Sequence, residues 1–293
     1  MSQYSRNREA AQAGLYRKLH TPVEAEGNGF TVSLSDRILV LGSCFADNMG
    51  SRLLSAGFRV CVNPFGTLYN PASTAAALER LDSPTPFSEE ECVEMGSGAG
   101  LVCSHSHHTR FARKTAAEFL QNANESLSGA SEFWKECNKV IITFGTAAVW
   151  RRDGKVVANC LKRPQTEFTR ELLTTEEIAG CIARILRTGR ECLFTVSPIR
   201  HLGAGARDNT ISKSILHIAL AESGAPYFPS YEIMLDELRD YRFYADDLCH
   251  PSQAGEEVIW QRFVEWAVPR SELDAVRENE KAARRAAHRS INV

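Results

Sequence analysis

The chain has 293 residues, 43% of them hydrophobic and 24% charged, a composition typical of a globular protein. Its formal net charge of -2 excludes a whole-protein field for nucleic acid or an anionic membrane. The apolar runs are too short for a membrane span and the polar N-terminal segment does not read as a secretory signal, so we expect a cytoplasmic protein.

Short apolar runs alternate with helical patterns along the chain, which favours a parallel sheet with flanking helices. Each predicted strand is apolar or β-branched and ends at a loop containing Gly, Pro, Ser or Asn, as expected of a sheet buried on both faces. The predicted strands are 37–41, 58–62, 139–144, 192–196 and 226–228.

The helices are predicted from capping signals and periodicity. Pro71 suits a first helical turn, and the run from Thr174 to Glu177 is a capping signature. The predicted helices are 46–56, 71–81, 115–128, 131–137, 174–188, 210–223, 230–240 and 252–268. We expect one domain over residues 20–268, followed by a charged, solvated helical tail over 269–293 or, less favoured, a basic contact surface.

Two segments carry groups for nucleophilic catalysis. Ser43 follows the first predicted strand at a small-residue turn, and Asp247 and His250 share one loop at D-x-x-H spacing. A serine hydroxyl needs a base to take its proton and a carboxylate to orient that base. Ser43, His250 and Asp247 are therefore the candidate catalytic residues, although Ser43 also suits a helix N-cap. Asp246 is an adjacent alternative carboxylate.

The turn carrying Ser43 reads Gly-Ser-Cys-Phe-Ala over residues 42–46, and the chain resembles the GSCFA family, which is named for that pentapeptide. Further blocks at 63–71, 144–147 with 157–160, 197–201 with 212–213, and 241–252 extend the resemblance over about residues 20–267. The family is similar to SGNH (GDSL-like) hydrolases. This implies a three-layer α/β/α flavodoxin-like fold with the nucleophile just after the first strand. The register leaves Cys44 as the main rival of Ser43.

The third block lacks the Asn that the SGNH superfamily usually offers to the oxyanion hole. The Thr146 hydroxyl or backbone, the backbone N–H groups of Ser43 and Gly66, and less directly Asn159 are the candidate donors. Leu161 stands where the family resemblance leads us to expect a histidine.

Other polar residues in the resembling blocks and in the loop at 104–110 are candidate substrate contacts. They are Asn63, Asn159, Arg200, His201 and His108, each of which also suits an ordinary structural role. No metal is predicted, because the histidines at 105–108 lack a completing Cys, Asp or Glu set and the nine cysteines form no C-x-x-C pair. The odd number of cysteines favours reduced thiols.

These residues predict a serine hydrolase that cleaves an acyl ester, of the esterase or deacetylase type. The substrate would be a small-molecule or saccharide acyl ester, and no cofactor is needed. One alternative is an acyltransferase that uses the same triad on a sugar or other hydroxyl. The other is a non-catalytic binding module on the same fold.

Overall fold

The computed structural model describes residues 21–24, 29–96, 98 and 100–290. Its strands are β1 (Arg37–Gly42), β2 (Arg59–Val62), β3 (Val93–Glu94), β4 (Val102–Cys103), β5 (Lys139–Phe144), β6 (Ala148–Arg152), β7 (Lys155–Val157), β8 (Thr169–Leu172) and β9 (Glu191–Val196). Its helices are α1 (Cys44–Ser55), α2 (Pro71–Asp82), α3 (Ala116–Lys135), α4 (Thr175–Leu186), α5 (Ala206–Ser223), α6 (Ser230–Glu232), α7 (Gln253–Ala267) and α8 (Leu273–Ser290).

The centre of the fold is a four-stranded parallel sheet in the order β2-β1-β5-β9. Successive residues of β1 face opposite sides: Leu39 and Leu41 pack in one apolar cluster with α2–α5, and Ile38 and Val40 pack in another with α1 and α7. Helices therefore bury the sheet on both faces. This confirms the expected α/β class with a mostly parallel sheet, and it brings the ends of β1, β5 and β9 to one edge.

Several features differ from the sequence-based expectation, among them the helix predicted over 230–240, which is the short α6 followed by a π-helical turn over Ile233–Glu237. The predicted strand 226–228 is reduced to one bridge, between Tyr227 and Phe194. The two helices predicted over 115–137 are one, α3, because buried Ala130 and Ser131 carry it past Gly129. The antiparallel sheets β3-β4 and β7-β6-β8 were not predicted, since their strands are short and rich in polar residues.

The C-terminal helix α8 is less solvated than predicted. Val276 is buried, the Asn279 side chain donates to the Ala56 carbonyl at 3.0 Å, and Trp260 Nε1 donates to Glu280 at 2.6 Å. Residues 284–287 are exposed, as expected. Within the described residues, no helix is both long and apolar enough to cross a bilayer.

Candidate active site

The turn between β1 and α1 is fixed by tight backbone packing. Gly42 has φ 141°, and a Cβ at this position would lie 2.2 Å from the Thr143 carbonyl oxygen. The Gly42 N–H donates to Asn63 Oδ1 at 2.8 Å, and Asn63 Nδ2 donates to Asp47 Oδ1 at 2.7 Å. The sequence thus needs glycine at 42, and the buried Asn63 side chain braces the turn instead of contacting substrate as predicted.

The structure does not bring the Ser43 hydroxyl to His250. Ser43 is the N-cap residue of α1 and is fully buried, and its Oγ has no hydrogen-bond partner among the described residues. The next residue projects to the other side of the turn, where Cys44 Sγ lies 3.5 Å from His250 Nε2. Neighbouring residues at such a turn point in different directions, and it is the thiol that meets the imidazole.

The carboxylate and the imidazole of the D-x-x-H loop are in direct contact. His250 Nδ1 lies 2.6 Å from Asp247 Oδ2, and Asp247 Oδ1 accepts the backbone N–H groups of Cys249 and His250, each at 2.9 Å. The N–H groups of His250 and Cys249, and then the His250 ring, lower the pKa of Asp247 to about 2. Asp247 is therefore ionised at neutral pH and fixes the ring so that Nε2 faces Cys44.

Burial, and after it the charge of Asp47, raises the pKa of the Cys44 thiol. The backbone N–H groups of Cys44 and Phe45 and the charge of Lys213 act in the opposite direction. These N–H groups belong to the first two residues of α1, where the helix itself provides no acceptors for them. The thiol thus needs a base, and it lies beside donors that can stabilise negative charge.

Lys213 was not singled out as a site residue from the sequence. It lies on α5 with 2% exposure, and its Nζ donates to the carbonyl oxygens of Gly145 and Ser197, each at 2.7 Å. Burial lowers the pKa of Lys213 to about 7. Its only sequence signal was its place in the family block at 212–213, because a lysine on a helix normally indicates an exposed face.

His201 lies beside this group, as expected for a residue that follows β9. Its ring packs edge-on against Tyr69 at 5.9 Å, and its Nε2 has no hydrogen-bond partner in the described part of the chain. Burial, followed by the charges of Lys213 and His250, lowers the pKa of His201 to about 4. His201 is therefore neutral near pH 7.

The predicted oxyanion donors at 66 and 146 are already engaged. The Gly66 N–H donates to the Asn63 carbonyl at 2.8 Å, and φ 82° with a close approach to the His108 side chain explains the glycine. The Thr146 N–H donates to the Tyr69 carbonyl at 2.9 Å, and its hydroxyl lies 2.8 Å from Ser212 Oγ. Both N–H groups already donate to carbonyl oxygens inside tight turns. The prediction that Gly66 and Thr146 supply donors to the oxyanion hole is therefore corrected.

The other predicted substrate contacts have mainly structural partners. The Arg200 backbone N–H and guanidinium donate to the carbonyls of Cys249 and Leu248, each at 3.1 Å, so Arg200 supports the base loop. Asn159 Oδ1 accepts the Leu161 N–H at 2.8 Å. His108 Nδ1 accepts the Arg110 N–H at 3.2 Å, which closes a short turn.

A pocket of about 330 Å³ opens beside Cys44 and His250. Its other lining residues are Phe45, Asp47, Asn48, Ser51, Ile199, Pro251 and Glu256. The wall combines the polar side chains of Asp47, Asn48, Ser51 and Glu256 with apolar surface, so it offers both hydrogen-bond partners and apolar contact to a bound group. Over the described ranges, no cluster of three or more His, Cys, Asp or Glu residues is arranged to hold a metal ion.

The sequence profile of the GSCFA family matches residues 37–263. The matched region contains both the turn at 42–46 and the loop at 247–250, and it covers more than half of the chain. The chain therefore belongs to the GSCFA family. Searches of curated proteins and of solved structures gave no match.

Proposed function

We propose that this protein is a cysteine-dependent acyl-transfer enzyme that cleaves an acyl ester, with Cys44 as nucleophile, His250 as general base and Asp247 as the group that orients it. The observation that carries the proposal is the chain of contacts from Asp247 through His250 to Cys44. Such a chain activates a weak nucleophile. The proposal keeps the expected reaction and replaces the expected Ser43 by its neighbour.

In the first half of the reaction, His250 Nε2 takes the thiol proton of Cys44, and the sulfur attacks the acyl carbon. The carbonyl π bond opens to an oxyanion beside the N–H groups of Cys44 and Phe45 at the start of α1, which stabilise negative charge. Collapse of the intermediate breaks the ester C–O bond. His250 returns its proton to the leaving alcohol, and a thioester remains on Cys44.

In the second half, His250 takes a proton from water, and the resulting hydroxide attacks the thioester carbon. Collapse breaks the C–S bond, releases a carboxylic acid and leaves the sulfur to recover its proton from His250. Every proton passes through Nε2, since Asp247 occupies Nδ1 and remains ionised.

The proposed fold type is the SGNH-like, flavodoxin-like arrangement. Two placements support it: the nucleophile turn follows β1, and the loop with the base immediately precedes α7. Ligands in open parallel sheets bind outside the carboxyl ends of the strands, and Cys44, Gly145 and Ser197 lie at these ends.

The test compares Cys44→Ala, Ser43→Ala and Cys249→Ala, with ester turnover and Cys44 acylation, read by peptide mass spectrometry, as the measurements. We expect Cys44→Ala to abolish both, whereas Ser43→Ala and the matched thiol control Cys249→Ala keep turnover. Full turnover in folded Cys44→Ala, together with its loss in Ser43→Ala, would return the nucleophile to Ser43. Absence of acylation in the wild type across an ester panel would favour a binding module.

Transfer to a hydroxyl acceptor instead of water is the second candidate reaction. The polar side chains around the pocket, among them Asp47, Asn48, Ser51 and Glu256, favour it because they can bind hydroxyl groups. The two reactions differ in the second half only. Product analysis with candidate sugars present separates them, since a transferase yields a new ester and a hydrolase yields only the acid.

A further inference from the structure

Lys213 is a buried cation at the edge of the sheet that carries Cys44. Gly145 and Ser197 directly follow β5 and β9, and the Lys213 Nζ donates to both carbonyl oxygens. Full burial of a lysine is costly unless its donors find acceptors. An ammonium group has three N–H donors, and these two carbonyls use two of them.

The groups that face Lys213 show which charge it can balance. His201 and His217 are both buried enough that their pKa values fall to about 4, so they carry no charge near pH 7. The Tyr231 ring lies 5.7 Å from the Lys213 Nζ. Cys44 is the acidic group whose charge raises the pKa of Lys213, while the charge of Lys213 lowers the pKa of Cys44.

We propose that Lys213 is a positioning residue that stabilises the thiolate of Cys44 through its charge and holds the ends of β5 and β9 beside the nucleophile. The proposal rests on the proposed nucleophile. The proton of Cys44 still leaves to His250, and Lys213 takes no part in that proton transfer. Lys213 therefore adds a second positive charge near the half-buried sulfur, besides the imidazolium that His250 becomes when it takes the thiol proton.

This role has a defined pH dependence. Burial holds the pKa of Lys213 near 7, and formation of the thiolate favours the protonated lysine. Each charge therefore favours the other, so a protonated Lys213 makes the thiolate of Cys44 easier to form. Removal of the lysine charge raises the pH at which Cys44 becomes a thiolate, because the half-buried anion loses one of the positive charges that favour it.

The experiment measures the rate of Cys44 alkylation by iodoacetamide as a function of pH, with the Cys44 peptide quantified by mass spectrometry. The variants are Lys213→Met and Lys213→Arg. The matched control is Lys139→Met, which removes another buried lysine, one that pairs with Glu191 at the opposite end of β5. Circular dichroism reports whether each variant is folded.

We expect Lys213→Met to move the inflection of the alkylation profile upward by about one pH unit, which is about a tenfold loss of rate near neutral pH. Lys213→Arg keeps the charge and should stay close to the wild type, as should Lys139→Met. An unshifted inflection in Lys213→Met overturns the proposal. If Lys213→Met does not fold, the proposal is tested on folded Lys213→Arg, and an upward shift of about one pH unit in that variant overturns it.

Alkylation needs no substrate, so this experiment separates the two proposals. A shifted inflection in a protein without ester turnover would leave the charge coupling intact and reject the enzymatic function. Normal ester turnover with an unshifted inflection would support the enzymatic function and reject the charge coupling between Lys213 and Cys44.

Discussion

His107 should make the folded protein sensitive to mild acid. It is fully buried, its Nδ1 lies 2.7 Å from Ser104 Oγ, and its Nε2 has no hydrogen-bond partner in the described part of the chain. The rings around it, with centroids between 4.5 and 5.7 Å away, are Phe65, Phe87, Phe111 and Phe119. Burial, and then the charge of Arg80, lowers the pKa of His107 to about 3.

The size of the effect follows from proton linkage. The unfolded chain binds the proton with a pKa near 6.5 and the folded chain with a pKa of about 3, so the unfolded state holds more protons between these values. The contribution of the neutral ring to stability is therefore present above the unfolded pKa and is lost as the pH falls towards the folded pKa. From about pH 7 to about pH 5, this loss is about 2 kcal/mol.

Urea unfolding at these two pH values tests the reasoning on the wild type, His107→Leu and Phe119→Leu. The second variant changes the same cluster without removing a titrating group. The free energy of unfolding of His107→Leu should fall by about 2 kcal/mol less than that of the wild type between the two pH values. Phe119→Leu should fall as much as the wild type. Equal losses in all three proteins would refute the assignment.

Three further substitutions test the turn, a helix cap and the base loop. Gly42→Ala forces a Cβ to within 2.2 Å of the Thr143 carbonyl oxygen, and we expect a loss of roughly 3 kcal/mol in urea unfolding; wild-type stability would mean that the turn relaxes. Asn70→Ala removes the acceptor of the Ser73 N–H at the start of α2 and should cost about 1 kcal/mol in the same assay, whereas no cost would show that the cap is unimportant. Asp247→Asn should lower ester turnover on the order of 10³-fold, and unchanged turnover would argue against its orienting role.

The central sheet was predictable because its strands are continuous apolar runs that end at turns. β5 was predicted with its observed bounds, and β1 and β9 to within one residue. The small antiparallel sheets were not, since strands such as Thr169–Leu172 have a mixed, partly exposed pattern without clear alternation. Their pairing depends on neighbours distant in the chain, which local periodicity does not report.

The contact between Asp247 and His250 was also accessible from the sequence, because both groups belong to one short loop and D-x-x-H spacing lets the carboxylate reach the ring. The same holds for Gly42, where a turn after a buried strand favours glycine. In each case the residues that make the contact or the turn are close in the chain, so their spacing limits the geometry.

The tertiary structure alone decided which side chain meets the base. Ser43 and Cys44 are adjacent and chemically plausible, and only the direction of the turn against β5 buries the hydroxyl and turns the thiol to His250. Only the tertiary structure also placed Lys213 at the same edge of the sheet, since α5 reaches the ends of β5 and β9 through packing between distant segments. The sequence by itself determined the parallel sheet and the groups available for catalysis, whereas the packing of separate elements determined which of them come together.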